Sequence, residues 1–210
     1  MKWVEGMGFV LRRIPYGETS LVVTLYSDTV GKIAFLVKGG KKGIPSRYHS
    51  SYFEPLNRLH FFTKIVPHRS LHYFNEVELS QACLFYSATS RILGGVTCDL
   101  FTAVVREELV PDARLYRFLT LYTDYISQLR KAPLKESVRH HFNHYWVYLP
   151  YLTGFATLQQ MKAFRMDNAA PIRYQIEQWC HWCQSHVPEF YVPKSMEFIF
   201  GLLEEDIDFL

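Results

Sequence analysis

The ten residues Lys38-Gly39-Gly40-Lys41-Lys42-Gly43-Ile44-Pro45-Ser46-Arg47 hold four cations and three glycines. Glycine lets a backbone come close to a phosphate, and each lysine or arginine that neutralises a phosphate releases counterions. The stretch has the chemistry to hold a polyanion. It is not a triphosphate-binding loop, because the GxxxxGK[ST] spacing is absent and no helical pattern follows. Arg12 and Arg13 lie upstream, and Tyr16, Tyr48, Tyr52, His60 and Phe62 fall in the same third of the chain. Cations beside aromatics suit a single strand whose bases stack while its backbone is neutralised. The bland alternatives are a solvated loop and aromatics that mostly serve a core.

Cys180-His181-Trp182-Cys183 is a lone CxxC, whereas a structural zinc ion takes four ligands. His140 and His144 would share a helix face and are the other ligands within reach of a mixed Cys/His site. Cysteines three apart on an amphipathic helix are more often small core residues, so no bound metal or other cofactor is expected. Catalysis finds no constellation. GxSxG, HExxH and GxGxxG are absent, and Glu18 lies in a turn with no carboxylate partner, which argues against an enzyme.

The elements that must position these residues follow from composition and pattern. A chain of 210 residues, 49% apolar and 16% aromatic, is neither a disordered tail nor a disulfide-stapled miniprotein. Four cysteines fit a reducing compartment. The opening residues show no apolar run of the signal-peptide kind. The charge-free stretch from Asn143 to Met161 is broken by Pro150 and Gly154, so a cytoplasmic protein without a membrane span is expected. The net charge of +3 conceals an asymmetry: residues 1–75 hold eleven basic and four acidic residues, a balance of +7, and the remainder carries −4. A basic module joined to a mildly acidic one fits a polyanion binder with a scaffold attached.

Up to residue 79 the texture is that of short strands: Trp3 to Ile14, Ser20 to Tyr26, Lys32 to Val37, Leu56 to Ile65 and Ser70 to Leu79, each bounded by glycine, proline or turn residues. In the fourth, Leu59, Phe61 and Ile65 alternate with Arg58, His60, Phe62 and Lys64. Five short strands in so few residues predict a small closed barrel. From Ser80 the period becomes helical, most clearly over Leu115, Phe118, Leu119, Tyr122, Tyr125, Ile126 and Leu129. Weaker patterns cover Gln81 to Leu93, Cys98 to Leu109, Glu136 to Leu149, Pro171 to Cys183 and Ser195 to Leu203. The expected architecture is α+β, with a five-stranded barrel over 1–79 and an all-helical domain over 80–210. The acidic end, 204–210, interleaves Ile207 and Phe209 with carboxylates and could dock on a basic patch.

The segment from Gly8 to Tyr26 (GFVLRRIPYGETSLVVTLY) resembles the N-terminus of the RecO family of bacterial recombination mediators. The likeness continues through Gly31-Lys32, Val37-Lys38-Gly39-Gly40, Ser46 and Phe53-Glu54-Pro55-Leu56, and it rests on the order of elements. It implies an OB-fold followed by a helical domain. It further implies binding of single- and double-stranded DNA, annealing of complementary strands, cooperation with RecR, contact with the acidic tail of single-stranded DNA-binding protein (SSB), and help in loading recombinase. The DNA positions it implies are Arg12, Arg13, Lys38, Lys41, Lys42 and Arg47. Many members carry a four-cysteine zinc module in the helical domain; only Cys180 and Cys183 represent it here, so the resemblance implies that the module is lost. The rival reading is a protein-interaction adaptor whose basic charge is incidental.

Overall fold

A computed structural model describes residues 1–39, 48–105, 110–130, 133–164 and 170–204. Six β segments occupy the N-terminal part: β1 (Lys2–Tyr16), β2 (Ser20–Ser27), β3 (Gly31–Val37), β4 (Arg58–Ile65), β5 (Leu71–His72) and β6 (Phe74–Gln81). The helices are α1 (Ala88–Val104), α2 (Ala113–Ile126), α3 (Leu134–His144), α4 (Leu149–Leu152), α5 (Leu158–Ala163), α6 (Ile172–His186) and α7 (Lys194–Glu204). The α+β class expected from the two textures is the one observed.

The strand order is β5-β3-β2-β1-β4-β6. β5 pairs in parallel with β3, β6 pairs antiparallel with β4, and Tyr73 alone separates β5 from β6. One stretch of chain, 71–81, therefore engages both open edges of the sheet and closes it into a barrel. The fifth strand expected from the sequence is this stretch, split at Tyr73.

Alternation fills the barrel. Val10, Val23, Leu25, Phe35, Leu59 and Phe61 are buried in one cluster, with Phe35 stacked on Phe74 at 3.9 Å between ring centroids. Phe53, from the 3-10 turn Ser50–Phe53, is fully buried in the same cluster. Each such aromatic or aliphatic side chain contributes about 1.5–3 kcal/mol by leaving water. Close approach dictates Gly6, where a Cβ would collide with Thr29 Oγ1. The turn before β3 uses Gly31 at φ 66°.

β1 changes partner along its length. Its first half pairs with β4 as far as Phe9↔Arg58, and its second half pairs with β2 as far as Tyr16↔Ser20. The register slips between Val10 and Arg12, leaving Leu11 as a bulge residue. Val10 meanwhile exchanges backbone hydrogen bonds with the chain entering β4, its N–H donating to Asn57 O at 2.9 Å and its carbonyl accepting from Leu56 at 2.8 Å. Beyond the bulge, β1 and β2 continue as a hairpin, with β2 still paired to β3 as far as Leu21↔Val37.

The chain forms two compact units. The first joins Met1–Leu84 to residues 110–124, and the second joins Phe85–Val105 to the chain from Tyr125 onward. In the first, Phe9 points outward from the barrel and meets the Tyr116 ring at 5.3 Å. Asp112 caps α2, accepting from the Arg114 N–H at 2.7 Å. The expected boundary at 79/80 follows the change of texture, yet residues 110–124 belong with the strands. Hydrophobic period reveals a helix but not the surface it covers.

In the second unit α1 begins at a Ser87–Ser90 capping box and runs through Gly94-Gly95 as one helix, where the sequence pattern suggests two segments. Each glycine costs about 1 kcal/mol in a helix, too little to break one anchored by so many buried side chains. The core of this unit includes Phe142, Trp146 and Trp179, and the buried Trp146 Nε1 donates to Thr97 Oγ1 at 2.7 Å. No helix among the described residues is long and apolar enough to cross a membrane.

Candidate nucleic-acid interface

Directly paired strand residues point to the same side of a sheet, so the register assigns the outer surface. Val23, Leu25 and Phe35 point inward, and their neighbours point out. On the outer side Arg12 lies opposite Thr24, Thr24 opposite Ala34, and Ala34 opposite Leu71. Ile14 lies opposite Val22, Val22 opposite Leu36, Tyr16 opposite Ser20, and Tyr26 opposite Lys32. Lys38 follows β3, and Arg69 precedes β5. These outward strand positions contain no carboxylate, although Asp112 of the chain before α2 meets Tyr26 there.

The outer side of the β1 first half, β4 and β6 differs. There Glu5 meets His60 Nε2 at 2.8 Å, Glu76 lies opposite Phe62, and Glu78 lies opposite His60. Trp3 stacks on Phe62 at 5.0 Å, and Lys64 Nζ lies 5.5 Å from the Trp3 ring centroid. Register has separated the barrel surface into a side without strand carboxylates and a side with three.

Of the positions expected to meet DNA, Arg12 is exposed on the cationic side. Arg13, one residue on, faces the other way: its Nη2 lies 2.8 Å from Glu54 Oε1, and its Nη1 donates to the Ser50 carbonyl at 3.5 Å. Lys38 is exposed, with Nζ 5.7 Å from the Tyr73 ring centroid. Lys41, Lys42 and Arg47 lie outside the described residues, as does the acidic segment 205–210. Among the aromatics, Tyr16 shares the side of Arg12. Tyr48 and Tyr52 pack against the barrel core, and Tyr48 donates to the Asn75 carbonyl at 3.3 Å. His60 and Phe62 belong to the acidic side.

Sequence reasoning missed Lys32, Arg69 and Tyr73 as members of the cationic side. Their one signal was the basic count of the first 75 residues. What groups them is the parallel pairing of β3 with β5, a contact between segments 37 residues apart that local patterns do not encode.

Residues 1–83 match the family model for Recombination protein O, N terminal. These residues are similar to a RecO N-terminal domain. A stretch of 44 residues is 46% identical to the DNA repair protein RecO of an Exiguobacterium species, covering 21% of this chain and 17% of that protein. The match thus spans about a sixth of the relative's length. The barrel is the OB-fold expected from the sequence, with the β1–β2 hairpin adjoining it.

The helical residues considered for metal do not form a site. Cys180 and Cys183 are buried on α6. Burial pushes the Cys180 thiol up to about 12 and the Cys183 thiol higher still, so both are held protonated there. His140 and His144 stack on each other at 4.3 Å along α3. Among the described residues no three His, Cys, Asp or Glu side chains converge as a metal site would require.

Proposed function

We propose that this chain is a non-enzymatic, RecO-type DNA repair and recombination protein. It binds single- and double-stranded DNA across the outer side of the β1–β2 hairpin and β3, and anneals complementary strands. The reading extends to helping recombinase load on SSB-coated DNA, with RecR and the acidic SSB tail as partners, and to working without zinc or another cofactor. The observation that carries it is the outer side bearing Arg12, Lys32, Lys38 and Arg69 with no strand carboxylate, in a domain of the RecO N-terminal family.

The physical logic is that annealing needs two polyanions held close without fixing their base edges. Backbone contacts supply affinity and carry no sequence information, which leaves bases free to find complements. The sequence supplies three further cations to the same reading, Lys41, Lys42 and Arg47.

Titration of the full chain with labelled oligonucleotides of unrelated sequence tests this. Similar affinities are expected, falling with salt at a log–log slope of about −3 for four neutralised phosphates on a single strand. Complementary strands should anneal faster in its presence. Salt-insensitive or absent binding would transfer support to the adaptor reading.

A further inference from the structure

The cationic side of the barrel carries an apolar row. Ile14 lies opposite Val22 and Val22 opposite Leu36, all three on the outside of the sheet. Tyr73 follows His72 as Leu36 follows Phe35 across the parallel β3–β5 pair, and Tyr16 stands two residues beyond Ile14 on the hairpin. Strand residues that face water are ordinarily polar. Here Ile14 is 40% exposed, Tyr16 54% and Tyr73 46%, while Val22 and Leu36 are half-buried. Single exposed apolar side chains need no explanation, whereas a row of them across three strands marks a surface that something covers.

Charge indicates what covers it. Exposed Arg12 lies two residues from Ile14 along β1, and exposed Lys38 two residues from Leu36 beyond β3, so the row runs between cations. Of the acids, Glu18 lies in the hairpin turn beyond Tyr16. Asp112 lies at Tyr26, four residues from Val22 along β2, and is paired with Arg114 at 2.7 Å. In a single strand every base has flat faces that stack on apolar side chains, and every base is tied to a phosphate. A duplex turns those faces onto one another and offers phosphates and base edges instead.

We propose that the row Ile14–Val22–Leu36, flanked by Tyr16 and Tyr73, takes unpaired bases and makes this side of the barrel select single strands over duplex. Arg12 and Lys38 hold the adjoining phosphates. The inference rests on the DNA reading above and deepens it. Cations alone favour the duplex, whose charge is denser; the row is what favours the strand. Contact with base faces is indifferent to sequence, and bases beyond the row stay free to pair.

The test compares three ligands of equal length on the full chain: an oligothymidylate, an abasic strand with the same phosphates, and a duplex. Affinities are read at several salt concentrations for wild type, Ile14→Thr with Val22→Thr, and Leu36→Thr. The thermal midpoint is the folding control, and threonine keeps the β-branched shape that strands favour. Wild type should bind the oligothymidylate about fivefold or more tighter than the abasic strand, at the same salt slope, and tighter than the duplex at moderate salt. The double variant should lose the preference over the abasic strand and keep its duplex affinity, and Leu36→Thr should lose part of that preference. Equal wild-type affinity for the intact strand and either of the other two ligands overturns the base row and leaves the DNA reading standing, with no variant needed. Parallel losses for strand and duplex in a folded variant assign the row to positioning Arg12 and overturn it likewise. Wild type that binds none of the three overturns the DNA reading, and the base row with it.

Discussion

Arg12 and Arg13 are neighbours in sequence and leave opposite sides of β1, Arg13 to lie 2.8 Å from Glu54 and Arg12 to face outward opposite Thr24. A doublet that reads as one basic patch is thus two residues with different surroundings. Arg12→Ala should weaken single-strand binding and make its salt dependence shallower. Arg13→Ala should change both much less. Its ion pair is well exposed, so its loss should cost under about 1 kcal/mol of stability. Anisotropy titrations at several salt concentrations separate the two; equal losses would show that the Glu54 pair does not matter.

Tyr73 is exposed, with the Lys38 ammonium near its ring. A base stacked there should contribute about 1–3 kcal/mol. Tyr73→Phe should bind like wild type, and Tyr73→Ala should bind more weakly at an unchanged salt slope, because a ring removes no counterion. A shallower slope in Tyr73→Ala would mean that the ring acts by positioning Lys38.

How much of this was legible in the sequence differs by element. The alternation of Leu59 and Phe61 with Arg58, His60 and Phe62 assigns the two faces of β4 correctly, because a half-buried strand exposes its period directly. The spacing of Leu115, Leu119, Tyr122 and Ile126 likewise marks the buried stripe of α2. Hidden from such patterns were the closure of the barrel at Tyr73 and the return of residues 110–124 to the strands. Each depends on pairings between segments distant in the chain. Lys32 shows the difficulty plainly: a lysine on a strand reads as solvated, yet here it is 7% exposed.

Tyr26 tests that return. Its hydroxyl accepts from the Asp112 N–H at 3.0 Å and lies 3.4 Å from the Asp112 carbonyl, a link across 86 residues. Burial, with the Asp112 charge adding, raises its pKa and keeps it protonated. Tyr26→Phe leaves a backbone N–H with its partner gone, which should cost about 1–2 kcal/mol. Urea denaturation should show a lower midpoint at unchanged slope. An unchanged midpoint would mean that the bond adds nothing.

His141 sets a pH dependence. It is fully buried against Tyr125, Tyr145 and Trp146, its Nδ1–H donating to the Ser137 carbonyl at 2.6 Å. Burial, helped by the nearby His140 and His144, lowers its pKa to about 4. Above pH ~6.5 the ring is neutral in both states. As pH falls from there to about 4, the unfolded chain takes up a proton that the folded one refuses, so stability drops by about 3 kcal/mol. In His141→Gln this component vanishes, and the stability gap to wild type should narrow across that window. A constant gap would show a ring that ionises normally.

Cys180 and Cys183 should react slowly with a maleimide at neutral pH in the folded chain and quickly once it is denatured, since burial holds both thiols protonated. Rapid native labelling of both would contradict the packing of α6.

The most direct measurement compares charge reversal on the two sides of the barrel. Arg12→Glu with Lys38→Glu places two carboxylates on the side whose strand positions hold none, whereas Lys64→Glu alters the side that already holds Glu5, Glu76 and Glu78. Single-strand affinity of the full chain, read at low and moderate salt, should collapse in the first variant and stay near wild type in the second. Equal losses in both, or a loss confined to Lys64→Glu, would contradict the assignment of the nucleic-acid backbone to the hairpin, β2 and β3.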